Sequence, residues 1–134
     1  MKRLVVASAG LMGSVAAADN LQGVDRLLCA TAEVIACVEQ DECYALAASD
    51  LDVPDFVVVD LDGKTLSTTK ASAQNRSTPI ASLTRSDGAI YLQGIEGGRA
   101  FSFVIDEATG HVTVAVARDG VAVTVFGVCT DADI

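Results

Sequence analysis

From Phe56 to the end, apolar and polar residues alternate with a period of two, and the alternation breaks at regular intervals. The breaks fall at Asp62-Gly63, Gln74-Asn75, Asp87-Gly88, Gly97-Gly98, Thr109-Gly110 and Asp119-Gly120, whose second members stand 12, 13, 10, 12 and 10 residues apart. Such pairs supply the positive-φ positions of tight hairpins, and short strands at this spacing are the pattern of a sandwich or barrel. The predicted strands are Phe56–Leu61, Lys64–Lys70, Pro79–Arg85, Ala89–Glu96, Arg99–Ile105, His111–Arg118 and Val121–Cys129. Phe101, Phe103 and Ile105 alternate with Ser102 and Val104, and Val112, Val114 and Val116 alternate with Thr113, Ala115 and Ala117. One face of each strand therefore belongs to a core.

The segment before Phe56 carries two periodicities. Leu28, Ala30, Ala32, Val34, Ala36 and Val38 read as a strand face, while Leu27, Leu28, Thr31, Val34, Ile35 and Val38 fit a helix capped by Asp25. Strand is the preferred reading, because a hairpin centred on Gln40 sets Cys37 opposite Cys43, whereas a helix ending near Cys37 needs a looser loop. The fold class predicted is all-β, an antiparallel meander of eight or nine strands closing into a small lipocalin-like barrel.

The chain opens Met1-Lys2-Arg3, runs uncharged from Leu4 to Val15, and reaches Ala16-Ala17-Ala18 before Asp19. A basic start, a short apolar run and an A-x-A site describe a cleavable signal peptide over 1–18. The run is shorter than the roughly 20 apolar residues of a retained anchor. Residues 19–134 then form one β-domain, exported to a periplasmic or secreted location and without a membrane span after processing. Arg26-Leu27-Leu28 before Cys29 does not look like a lipidation signal.

Four cysteines, Cys29, Cys37, Cys43 and Cys129, lie in that exported part. An even count in an oxidising compartment reads as two disulfides, and the spacings lack the paired C-x₂₋₄-C of a zinc site. Cys29 stands about 26 Å along a strand from Cys37, out of reach of the hairpin pair, so Cys37 is expected to bond Cys43 and Cys29 to bond Cys129.

Charge and composition narrow the function classes. The formal charge is −9, from 9 Lys and Arg against 18 Asp and Glu; loss of Lys2 and Arg3 leaves 7 against 18, or −11. Nucleic acid and anionic lipid are repelled by such a surface, and a basic protein partner fits it better. His111 is the only histidine and no G-x-S-x-G accompanies it. Eight carboxylates between Glu39 and Asp62 stand without a Lys or Arg, but Asp60-Leu61-Asp62-Gly63 is only a fragment of a calcium loop. Gly94, Gly97 and Gly98 are not followed by the Lys-Ser/Thr of a phosphate loop, and there is no Trp to serve as a sugar platform. No catalytic constellation, cofactor motif or metal set emerges.

Ser86-Asp87-Gly88-Ala89-Ile90-Tyr91 resembles the S-x-G-A-x-Y loop of the bacterial periplasmic inhibitors of C-type lysozyme, small exported barrels that insert this loop into the enzyme's cleft. The resemblance covers six residues and implies that Ser86 and Tyr91 contact the target. The function expected is thus that of a non-enzymatic binding module: an inhibitor of a basic hydrolase such as lysozyme, or a carrier of a small apolar ligand within the barrel.

Overall fold

The computed structural model describes residues 20–72 and 74–133. The signal-peptide reading of 1–18 lies outside the described residues. Ten strands form one antiparallel sheet: β1 (Arg26–Val38), β2 (Cys43–Leu46), β3 (Phe56–Asp60), β4 (Thr65–Thr68), β5 (Ser77–Pro79), β6 (Ser82–Ser86), β7 (Ala89–Glu96), β8 (Arg99–Asp106), β9 (His111–Arg118) and β10 (Val121–Asp131). A 3-10 turn, Ala48–Leu51, links β2 to β3. No helix among the described residues is long and apolar enough to cross a membrane.

The strand order is β5-β4-β3-β1-β10-β9-β8-β7-β6, with β2 also on β1. The sheet curls like a barrel, and its two ends are held by one run of chain. Ser77–Pro79 pairs with β4 and, after Ile80 and Ala81, Ser82–Ser86 pairs with β7. Across the step, the Ile80 N–H donates to the Lys64 carbonyl and the Ala81 N–H to the Gln93 carbonyl, both at 2.9 Å. The predicted strand Pro79–Arg85 therefore spans the last residue of β5, the Ile80-Ala81 step and most of β6, and is divided where the chain passes from one edge to the other. That division makes ten strands of the eight or nine expected.

β1 is a strand, not a helix, and it serves two neighbours on one edge. Arg26–Ala30 pairs with β3, and Val34–Cys37 with β2. Between them a bulge lies between Thr31 and Glu33. The extra residue reverses which parity faces inward. Leu27 and Cys29 are buried before it, Val34 and Ala36 after it. The strand face predicted from Leu28 through Val38 is thus correct only beyond the bulge. Thr31 is tied down there: its N–H donates to the Asp55 carbonyl at 2.9 Å and its hydroxyl to the Pro54 carbonyl at 2.9 Å. β10 answers the bulge with Gly127, where a Cβ would collide with the Ala30 carbonyl of the close-packed β1 backbone.

Both disulfides pair as expected. Cys29 lies directly opposite Cys129 in the β1–β10 ladder, with Cα atoms 3.9 Å apart, and Cys37 opposite Cys43 across the Gln40 hairpin at 4.1 Å. The first closes a loop of 100 residues, worth about 4.7 kcal/mol in unfolded-chain entropy; the second closes six, worth about 2 kcal/mol.

The inward residues form one core cluster, including Leu27, Val59, Ile90, Leu92 and Ile105, all essentially inaccessible. One end of the sheet is stoppered by Leu21, which is 1 % exposed. Its N–H donates to the Glu107 carbonyl at 2.7 Å, and its own carbonyl accepts from Arg85 Nη2 at 3.0 Å. The turns after β3, β6 and β8 share that end. At the other end lie the loop between β4 and β5, the Gly97-Gly98 turn and the connection through Val53 and Pro54.

Candidate binding cavity at the open end

Toward the unstoppered end the core is incomplete, leaving a cavity of about 150 Å³. Val57, Leu66, Phe101, Phe103, Val112 and Val114 belong to its apolar wall. These side chains come from β3, β4, β8 and β9, whose period-two alternation aims them inward. Small residues leave the room: three of the six are valine, Gly127 contributes no side chain, and the ring of Phe101 lies over Gly94. A Cβ at Gly94 would overlap that ring, so the glycine fixes where Phe101 can sit. Phe103 then meets Phe101 edge to face, with centroids 5.9 Å apart.

A polar rim stands where the apolar wall ends. Arg76, just before β5, reaches across to Glu96 at the end of β7 as a two-pronged pair: Nη2 to Oε1 at 2.8 Å and Nε to Oε2 at 3.3 Å. Its Nη1 donates to the Asp52 carbonyl and to Gln74 Oε1, both at 2.8 Å. Thr78, buried in β5, donates its hydroxyl to Glu96 Oε2 at 2.9 Å. Arg99, across the Gly97-Gly98 turn, donates Nε to the Glu96 carbonyl at 3.3 Å and holds Nη2 3.9 Å from Glu96 Oε1. The hydrogen bond from Arg76 holds the Glu96 carboxyl below the usual carboxylate range; partial burial opposes this, and Thr78 and the charges of both arginines reinforce it. Glu96 is therefore ionised at neutral pH, and the rim is two cations around one anion.

The site consists of hydrocarbon walls, guanidinium donors and a carboxylate already occupied as an acceptor. His111 lies elsewhere, exposed at the start of β9 by the stoppered end. The eight carboxylates from Glu39 to Asp62 are spread along the chain's turns: Asp50 accepts from the Ala47 N–H at 3.1 Å and Asp60 from the Gly63 N–H at 2.8 Å. Among the described residues no three of His, Cys, Asp and Glu gather as a metal site would require.

Ser86 and Tyr91 are also distant from the cavity. They flank the Asp87-Gly88 turn of the β6–β7 hairpin, where φ is 52° and 81°. Ser86 pairs with Ala89 and Tyr91 with Thr84, which puts both side chains on the outer face near the stoppered end. Tyr91 is 38 % exposed, and the Ser86 hydroxyl meets only Asp87 Oδ2, at 3.5 Å.

The sequence reading did not identify Arg76, Thr78, Glu96 and Arg99. One half of the cluster has a local signal, since Glu96 and Arg99 face each other across a Gly-Gly turn. The other half has none: Arg76 stands 20 residues before Glu96, and only closure of the sheet through β5 joins them. Comparison with known families, with curated proteins and with solved structures finds no match for this chain.

Proposed function

We propose that the protein is a non-enzymatic binding protein that houses one small apolar ligand inside its curled sheet. The observation that supports this reading is the open cavity of about 150 Å³ behind a rim of charged side chains. An apolar cavity of about that size in another protein takes up benzene, so the space matches a ring or a short hydrocarbon chain. A ligand of about six to ten non-hydrogen atoms would bind with a Kd on the order of 10 μM to 1 mM. The two disulfides support an exported setting, periplasmic or secreted, where they would persist.

Titration of isotope-labelled protein with toluene, followed by methyl and aromatic NMR shifts, tests the reading. Shifts concentrated on Val57, Leu66, Phe101, Phe103 and Val114 are expected, and Val114→Phe should abolish them by filling the space. An interior silent at millimolar toluene would overturn the proposal.

A second reading is favoured by the placement of Ser86 and Tyr91 on one exposed face beside a projecting hairpin. It makes that hairpin an inhibitory loop for a basic hydrolase such as C-type lysozyme, with the acidic surface steering the encounter. Lysozyme activity unchanged at micromolar protein and low salt would dispose of it.

A further inference from the structure

The rim fixes more than the location of the cavity mouth. Arg76 spends four of its five N–H groups, through all three nitrogens, on Glu96, the Asp52 carbonyl and Gln74. Glu96 in turn accepts from Arg76 and Thr78, leaving it little capacity for a ligand donor. Arg99 differs. Its Nε makes a 3.3 Å bond, its Nη2 approaches Glu96 only to 3.9 Å, and its Nη1 has no hydrogen-bond partner among the described residues. Yet Arg99 borders the same cavity as Phe101 and Phe103.

We infer that the ligand is a carboxylate amphiphile, a small organic acid whose hydrocarbon part fills the cavity and whose carboxylate is met at the mouth by the unengaged guanidinium face of Arg99. This inference rests on the binding reading above and adds the chemical class. Three observations on the rim support it. Within the Arg76–Glu96–Arg99 cluster two guanidiniums face one carboxylate, an excess of one positive charge in that cluster on a chain whose net charge is −9. The unengaged donors belong to an arginine, whose planar fork matches a carboxylate bidentately. Arg99 begins β8 two residues before Phe101 and lines the same cavity, so one short molecule can lie against both. An amine head would meet the same positive excess and be disfavoured. An alcohol could bond Arg99 but would gain nothing from the charge.

The test compares hexanoate, hexanol and hexylamine at pH 7, which share a tail and differ in the head. Calorimetry on the full chain, with the chemical shifts of Phe101 and Phe103 as locator, gives the three affinities. Hexanoate is expected to bind about tenfold more tightly than hexanol, and hexylamine most weakly. Arg99→Gln should bring hexanoate down toward the level of hexanol while weakening hexanol far less, and Arg99→Lys should keep part of the preference. Arg99 is over a third exposed, so both variants are expected to fold, as thermal unfolding would verify. Equal binding of hexanoate and hexanol, or hexanoate binding indifferent to Arg99→Gln, overturns the carboxylate assignment while leaving the cavity reading intact. If none of the three shifts the cavity resonances, the cavity reading itself falls and the assignment with it.

Discussion

The two ends of the sheet use the same materials in opposite proportion. At the stoppered end one guanidinium serves two carboxylates: Arg85 Nε bonds Glu107 at 2.8 Å, its Nη1 stands 3.6 Å from Asp25, and its Nη2 secures the Leu21 carbonyl. At the open end two guanidiniums share one carboxylate, and among the described residues no side chain takes the place of Leu21 behind them. The first arrangement fastens an apolar plug, because Arg85 is hydrogen-bonded to both the Glu107 carboxylate and the Leu21 carbonyl. The second leaves a cavity bordered by Arg99, which donates a single hydrogen bond among the described residues. The ion pairs at the two ends thus differ in what lies beneath them: a filled core under Arg85 and a void beside Arg99.

The largest expected effect lies in the seam common to both ends. Replacing Cys29 and Cys129 together by alanine should lower unfolding stability by about 4 to 5 kcal/mol in urea, whereas the Cys37 and Cys43 double replacement should cost about 2 kcal/mol. A reversed order would mean that the open-end hairpin, not the β1–β10 seam, holds the sheet closed. Next comes the plug. Leu21→Ala should cost about 2 to 4 kcal/mol by the same measurement and leave ligand affinity at the far end unchanged. Lost binding in this variant would show that the two ends are coupled through the core.

A smaller effect is expected from Gly94→Val at the open end. The new side chain displaces the Phe101 ring, at a cost of about 1 to 3 kcal/mol and with loss of toluene binding. Retained binding would place the ligand elsewhere than under Phe101. The smallest effect concerns pH, where each end has one carboxylate held below its usual range. Glu96 is held chiefly by the Arg76 side chain, and Asp106 by the Thr109 backbone N–H, with Ala108 assisting. Since folding lowers both pKa values, each adds stability above the ordinary carboxylate range and loses it as pH falls through the folded value. Glu96→Gln should therefore flatten part of the stability slope below about pH 4. High salt should weaken the contribution of Glu96 more than that of Asp106, because an arginine's charge is screened and a turn's backbone bond much less. Equal salt sensitivity at both positions would remove the distinction.

How much of this was legible in the sequence follows from which interactions are local. The strands Ala89–Glu96 and His111–Arg118 match their predicted limits to the residue, because paired turn residues bound each one and alternation fills it. Both disulfides were legible too, since one is set by a six-residue hairpin and the other follows by elimination. The β1 bulge was not, because Ala30, Thr31 and Ala32 give no sign of a parity change; only pairing with β10 and the fastening of Thr31 to Pro54 and Asp55 create it. The break at Ile80 and Ala81 escaped for the same reason, as the segment changes partners without changing composition.

By itself the sequence determined the all-β class, the strand and turn sequence and the covalent staples, since these depend on side-chain period, turn stereochemistry and the reach of a strand. The tertiary structure alone decided that one end is plugged and the other hollow, and that Arg76, Thr78, Glu96 and Arg99 meet at the hollow one. Curling of the sheet brings those four together across up to 23 residues of chain, and the volume left beneath them depends on how Phe101, Phe103 and the valines pack in three dimensions.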